Sequence, residues 1–144
     1  MNEQELIRTL RHEYVHAVTA ELSGSKCPAW VDEGLAQIFE RSSETELRNV
    51  LSKWTKKNQF IPLSQLEKGF IALDHNFAAA AYAESFFAMQ MLLREHDTNS
   101  LVDFFRVLQD GQTLNRAFRL AYASSLDSFE NTLRNKIAKS DAAS

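Results

Sequence analysis

Phe77-Ala78-Ala79-Ala80-Ala81-Tyr82-Ala83-Glu84-Ser85-Phe86-Phe87-Ala88-Met89-Gln90-Met91-Leu92-Leu93 is the most apolar stretch of the 144-residue chain, and its reading decides the architecture. The run approaches the length of a membrane span, but Glu84, Ser85 and Gln90 interrupt it, so it reads as a helix buried in a protein core. Its many alanines let neighbouring backbones approach closely. With its flanks the helix is expected over about Asn76 to Glu95. Outward from it in both directions, apolar residues recur at spacings of three and four rather than alternating. Only four glycines and two prolines punctuate the chain. The prediction is an all-α, helical bundle-like fold.

The local signals place the other helices. Asn2 with Glu5 forms a capping box that opens a first helix running to about Leu22, and Gly24 ends it. Pro28 suits the first turn of a second helix reaching about Glu40, with Trp30 and Phe39 packing it. Ser43 with Glu46 opens a third helix through Leu47, Leu51 and Trp54, and Asn58 to Gly69 reads as a connecting segment. Ser100 with Asp103, Thr113, and Ser124 with Asp127 are the expected starts of three more. Phe104, Phe105, Leu108, Phe118 and Leu120 fall at core spacing. One domain over residues 1–139 is expected, with 140–144 as a frayed tail that has nothing to bury.

Composition narrows the function classes. With 44% hydrophobic and 24% charged residues the chain has the profile of a globular domain, and its single cysteine, Cys27, forms no intrachain disulfide. The net charge of −3 and scattered lysines and arginines give no footprint for nucleic acid. The run Lys53-Trp54-Thr55-Lys56-Lys57 reads as a solvated helix face. The start, Met1-Asn2-Glu3-Gln4-Glu5, is acidic and polar, unlike a signal peptide.

The chemistry is concentrated in two short segments. His12-Glu13-Tyr14-Val15-His16 is an HExxH motif, and residues four apart on a helix lie one turn apart on one face, so both imidazoles can reach one ion. Pro28-Ala29-Trp30-Val31-Asp32-Glu33-Gly34-Leu35-Ala36 then presents a carboxylate on a new helix. A catalytic zinc takes three protein ligands and keeps a fourth position open, and His12, His16 and Glu33 supply such a set. Gly34 permits close approach of the ligand helix to the histidine helix.

An HExxH helix followed by a WxxEG(L/F)A helix resembles the gluzincin metallopeptidases, notably the zinc aminopeptidases and peptidase-MA-like domains. Matched by position, the resemblance implies that His12, His16 and Glu33 bind Zn2+ and that Glu13 activates the attacking water. Ala81-Tyr82-Ala83-Glu84-Ser85 looks like the tyrosine-bearing helix of the aminopeptidases. It implies that Tyr82 stabilises the oxyanion, although Ala-Glu-Ser follows where Glu-Lys-Gly is usual. Gly111-Gln112-Thr113-Leu114 and Ser125-Leu126-Asp127-Ser128-Phe129 also resemble the C-terminal part of peptidase-MA-like domains. The implied function is zinc-dependent hydrolysis of a peptide or protein substrate. The competing readings are a non-catalytic zinc-binding helical domain of a larger assembly, and a zinc hydrolase of another amide or ester.

Two departures from the resemblance carry expectations. Gln37 stands where thermolysin-like gluzincins place an aspartate that orients a histidine, leaving Glu21, Asp32 and Glu40 as candidates for that role. Only eleven residues precede His12, too few for the β-sheet that usually lies upstream, so the chain reads as the helical part of such a domain. Leu6, Leu10, Val15 and Val18 on the first helix then lack their usual cover, and self-association through that face is expected. Light scattering tests it: a clean monomer at high concentration would count against it.

Overall fold

Asn2 opens the first helix through a reciprocal cap. Its side chain accepts from the Glu5 N–H at 2.8 Å, and the Glu5 carboxylate accepts from the Asn2 N–H at 3.0 Å. The computed structural model describes residues 1–70 and 74–143. In it α1 spans Glu3–Ser23 and stops at Gly24, whose φ of 62° is left-handed. Ser23 then helps to turn the chain: its hydroxyl donates to the Thr19 carbonyl and accepts from the Cys27 N–H. Pro28 precedes α2 (Ala29–Phe39), and Ser43 caps α3 (Glu44–Thr55). Residues 63–66 of the connecting segment form a short 3-10 turn. Asp74 caps α4 (His75–Glu95), which is the long apolar helix of the sequence.

The last three helices are α5 (Thr98–Gln109), α6 (Leu114–Tyr122) and α7 (Leu126–Ala143). Thr113 caps α6 as expected, whereas two other starts differ from the sequence reading. Asp97 caps α5 by accepting from the Asn99 and Ser100 N–H groups, so Ser100 already lies in the first turn. Ser125, rather than Ser124, accepts from the Ser128 N–H before α7. The expected frayed tail is helical to Ala143, where Asp141 accepts a hydrogen bond from Thr55; Ser144 lies outside the described residues. Among the described residues the fold is all-helical, with no strand, and no helix is long and apolar enough to cross a membrane.

α4 is the axis of the bundle. α2 packs along it on one side and α3 on another, α1 lies against α2 and α5, and α6 joins α5 to α7. Ala80, Ala81, Ala83 and Ala88 are fully buried, which is why these small residues sit where helices meet. At the α2–α4 seam a Cβ on Gly34 would lie 2.4 Å from the Ser85 carbonyl oxygen and 2.5 Å from Met89 Cγ. Only a glycine permits that approach, and the helix approached is α4 rather than the histidine helix that the sequence suggested. Trp30 stacks on Phe129 with ring centroids 6.0 Å apart, and Phe118 packs between Phe104, Tyr122 and Phe129. Each such side chain removed from water stabilises the fold by about 1.5–3 kcal/mol. Phe39 and Leu120, expected inside, are 49% and 57% exposed. They lie on the outer faces of amphipathic helices whose inward positions are filled by neighbours such as Ala36 and Phe118.

Among the described residues, one carboxyl side chain lies within this core. Glu84 is fully buried; one carboxylate oxygen accepts from the Ile61 N–H at 3.2 Å and the other has no hydrogen-bond partner. Burial pushes its carboxyl from an ordinary 4.5 up to about 9; the Ile61 N–H pulls the other way, Glu130 adds to the rise, and Arg134 opposes it. The folded state therefore holds a proton that the unfolded chain releases. The stability this confers is full below pH ~4.5 and falls as pH rises toward ~9. Urea unfolding midpoints should fall over that window, and Glu84→Gln should flatten the fall; an unchanged pH slope would remove Glu84 as the cause.

The front of α1 projects beyond its neighbours. Leu6 and Leu10 are 48% and 59% exposed, as an uncovered face requires. Val15 and Val18 differ from that expectation: they are half-buried and line an apolar groove of about 320 Å³ with Leu35, Ile38 and Leu101. α5 packs against this part of α1 and supplies the cover.

Candidate metal centre

His12, His16, Thr19 and Ser23 follow one another at spacings of four, three and four, so α1 turns them all to one side. α2 runs along that side. Its Glu33 carboxylate reaches both rings: Oε2 lies 3.5 Å from His12 Nε2, and Oε1 lies 3.6 Å from His16 Nε2. The ligand atoms of His12, His16 and Glu33 all fall within 4.8 Å of one another. Two ligands placed about 2.0–2.1 Å from one ion at tetrahedral angles are about 3.3 Å apart, so the nitrogen–oxygen separations match a shared cation.

The state of Glu33 tests that fit independently. Its Oε2 is buried with no hydrogen-bond partner, although it faces a ring nitrogen. Desolvation pushes the Glu33 carboxyl up, opposed by His16 and then His12. A carboxylate oxygen withdrawn from water without a partner is costly, and a cation between Glu33 and the two imidazoles removes that cost. The donor set of two imidazoles and one carboxylate is that of an open, catalytic-type site.

The far side of each ring is also occupied. His16 Nδ1 lies 2.8 Å from Asp32 Oδ2, so the proton on Nδ1 is donated to Asp32 and the Nε2 lone pair is turned toward Glu33. Thr19 donates its hydroxyl to the other oxygen of Asp32. His12 Nδ1 lies 3.3 Å from Glu40 Oε2. Of the three acidic residues considered for this supporting role, Asp32 and Glu40 thus meet the histidines, while Glu21 is exposed on α1. Thr19 was missed by the sequence reading. Its position three residues after His16, on the same face, was the available signal.

Glu13 and Tyr82 sit differently. Glu13 follows His12 on α1, is turned about 100° around the helix from it, and is exposed. Tyr82 is half-buried on α4, with its ring edge-on to Phe70 at 5.1 Å. Burial raises its phenol pKa, and the Glu33 carboxylate raises it further. Gln37 is not near the histidine nitrogens in any hydrogen bond; it donates to the main-chain carbonyls of Glu33 and Tyr82. Cys27 stands apart from the group, with its thiol pKa pushed up chiefly by burial and also by Asp32.

No curated protein and no solved structure matches the chain. The profile of the Peptidase MA superfamily does, over residues 4–139, a span that takes in both segments of the candidate centre. The chain belongs to the Peptidase MA superfamily, as a metallopeptidase-like gluzincin domain.

Proposed function

We propose that this domain is a zinc-dependent peptidase in which His12, His16 and Glu33 hold the ion, Glu13 is the general base and Tyr82 donates to the oxyanion. The observation that carries the reading is the Glu33 carboxylate, one oxygen of which is buried without a hydrogen-bond partner, set between two imidazoles whose outer nitrogens are backed by Asp32 and Glu40. Zinc bound there supplies Lewis acidity, lowering the pKa of water toward ~7 and polarising a carbonyl.

The remaining work falls to the side chains. Asp32, steadied by Thr19, holds His16 in one tautomer and one orientation. Glu13, exposed on α1 and next to His12 in the chain, takes a proton from the attacking water and returns it to the leaving amine. Tyr82 donates its phenolic proton in a hydrogen bond to the oxygen on which charge develops. Its raised pKa keeps that proton in place at neutral pH. A peptide or protein is the proposed substrate.

Metal analysis tests the reading. The wild-type protein should retain about one equivalent of zinc, and His16→Ala and Glu33→Ala should each lose most of it. Unchanged zinc in Glu33→Ala would remove that residue from the site. Zinc retained without hydrolysis of any member of a mixed peptide library would favour the non-catalytic domain.

A further inference from the structure

Gln37 has a place in the interior that packing alone does not require. It is 5% exposed, sits one turn beyond Glu33 on α2, and carries a primary amide into the seam between α2 and α4. The amide nitrogen donates to the Glu33 carbonyl at 3.2 Å and to the Tyr82 carbonyl at 2.7 Å. A primary amide has two N–H groups, and both are used. They end on the backbones of the residue proposed to bind zinc and the residue proposed to meet the oxyanion.

The seam has one other tight point. Gly34, three residues before Gln37, lies against Ser85, three residues after Tyr82. The two helices therefore touch in antiparallel register at two places about 4.5 Å apart along the axis. One is a steric stop, and the other is a pair of buried hydrogen bonds. A slide of α4 along α2 strains both; with the amide removed, α4 can tilt about the remaining stop. The phenolic oxygen lies at the end of a long side chain, so a small movement of the Tyr82 backbone becomes a larger one at the oxygen.

We propose that Gln37 is a positioning residue that fixes the distance between the Tyr82 phenol and the Glu33 side of the metal centre. The inference rests on the proposed function, in which Tyr82 acts on the oxyanion. It accounts for a glutamine at this position in place of a carboxylate directed at a histidine: Asp32 and Glu40 already back both rings. The amide works through the main chain of two other residues and touches neither metal ligand atoms nor substrate.

Gln37→Met is the informative variant, because it keeps the length and volume of the side chain and deletes both donations. The Glu33 and Tyr82 carbonyls keep the N–H four residues on that an α-helix supplies, so the fold should survive. The zinc dissociation constant, measured by chelator competition, should stay within about threefold. On one peptide substrate, kcat should fall about tenfold to a hundredfold with KM little changed, the scale on which reacting groups respond to misplacement by up to 1 Å. In a Tyr82→Phe background the same substitution should cost nothing more. A crystal structure of Gln37→Met should show the Tyr82 oxygen displaced from Glu33 relative to wild type.

An unmoved Tyr82 oxygen, or an equal loss of kcat in the Tyr82→Phe background, overturns the proposal. Failure of the underlying reading is seen separately, since Tyr82→Phe alone would then leave the rate unchanged. A phenol that nevertheless moves in Gln37→Met would support the positioning role and overturn only the oxyanion role of Tyr82.

Discussion

Glu13→Gln is expected to lower peptide hydrolysis by about 10²–10⁴-fold while the metal stays bound. The separation of the two effects follows from where Glu13 sits. His12, His16 and Glu33 converge on one point, and Glu13 is not one of the groups that define it. It is exposed on α1, away from the face that packs on α2, so neither the core nor the ligand geometry depends on its charge. Glutamine preserves its length and shape and removes only the ability to take up a proton. Zinc content and thermal unfolding should match wild type, and kcat should carry the loss. Full hydrolytic activity in this variant would show that another group accepts the proton.

Gly34→Ala is expected to destabilise the fold by about 3 kcal/mol and to weaken metal retention with it. Two effects of opposite sign compete. Alanine in a helix interior is favoured over glycine by about 0.8–1 kcal/mol, so an exposed helical Gly→Ala change would stabilise. Here the added carbon would stand 2.4 Å from a backbone oxygen, Ser85 O, and within 2.9 Å of two Met89 side-chain atoms. A methionine can swing away, but a main-chain carbonyl inside a helix cannot. α2 must therefore move off α4, and Glu33, the residue before Gly34, moves with it. At roughly 2–4 °C per kcal/mol for a chain near this size, the melting temperature should fall by about 6–12 °C. A melting temperature equal to wild type or higher would mean that the close approach does not govern the seam.

These two residues also mark how far the sequence could be read. The all-helical architecture follows from apolar spacing and from caps that act locally: Asn2, Ser43 and Thr113 each bond a backbone N–H three residues on. The boundaries that differ, at Asp97 and Ser125, are cases where a second residue nearby, Ser100 or Ser124, also offers a capping oxygen, so the local pattern does not single out the start. The gathering of His12, His16 and Glu33 was legible because HExxH is a same-face spacing and Glu33 lies on a second helix that follows a short turn. The support behind the rings was less so. Asp32 and Glu40 differ from Glu21 only in which helix carries them and how that helix is rotated, and a linear pattern holds no record of that rotation. Gln37 acquires its meaning, and Gly34 its actual neighbour, only when α4, some fifty residues later, is laid against α2.

The carboxylates behind the histidines have an electrical consequence. Two neutral imidazoles add no formal charge, while Glu33, Asp32 and Glu40 together outweigh a divalent cation. With Glu13 alongside, the centre filled as proposed would present a slightly negative face to solvent despite its cation. Field lines from such a cation would end on its own surroundings within a few ångströms. A polypeptide substrate of the proposed kind would therefore not be drawn in over distance by the ion; it would have to be caught by shape and contact before hydrolysis.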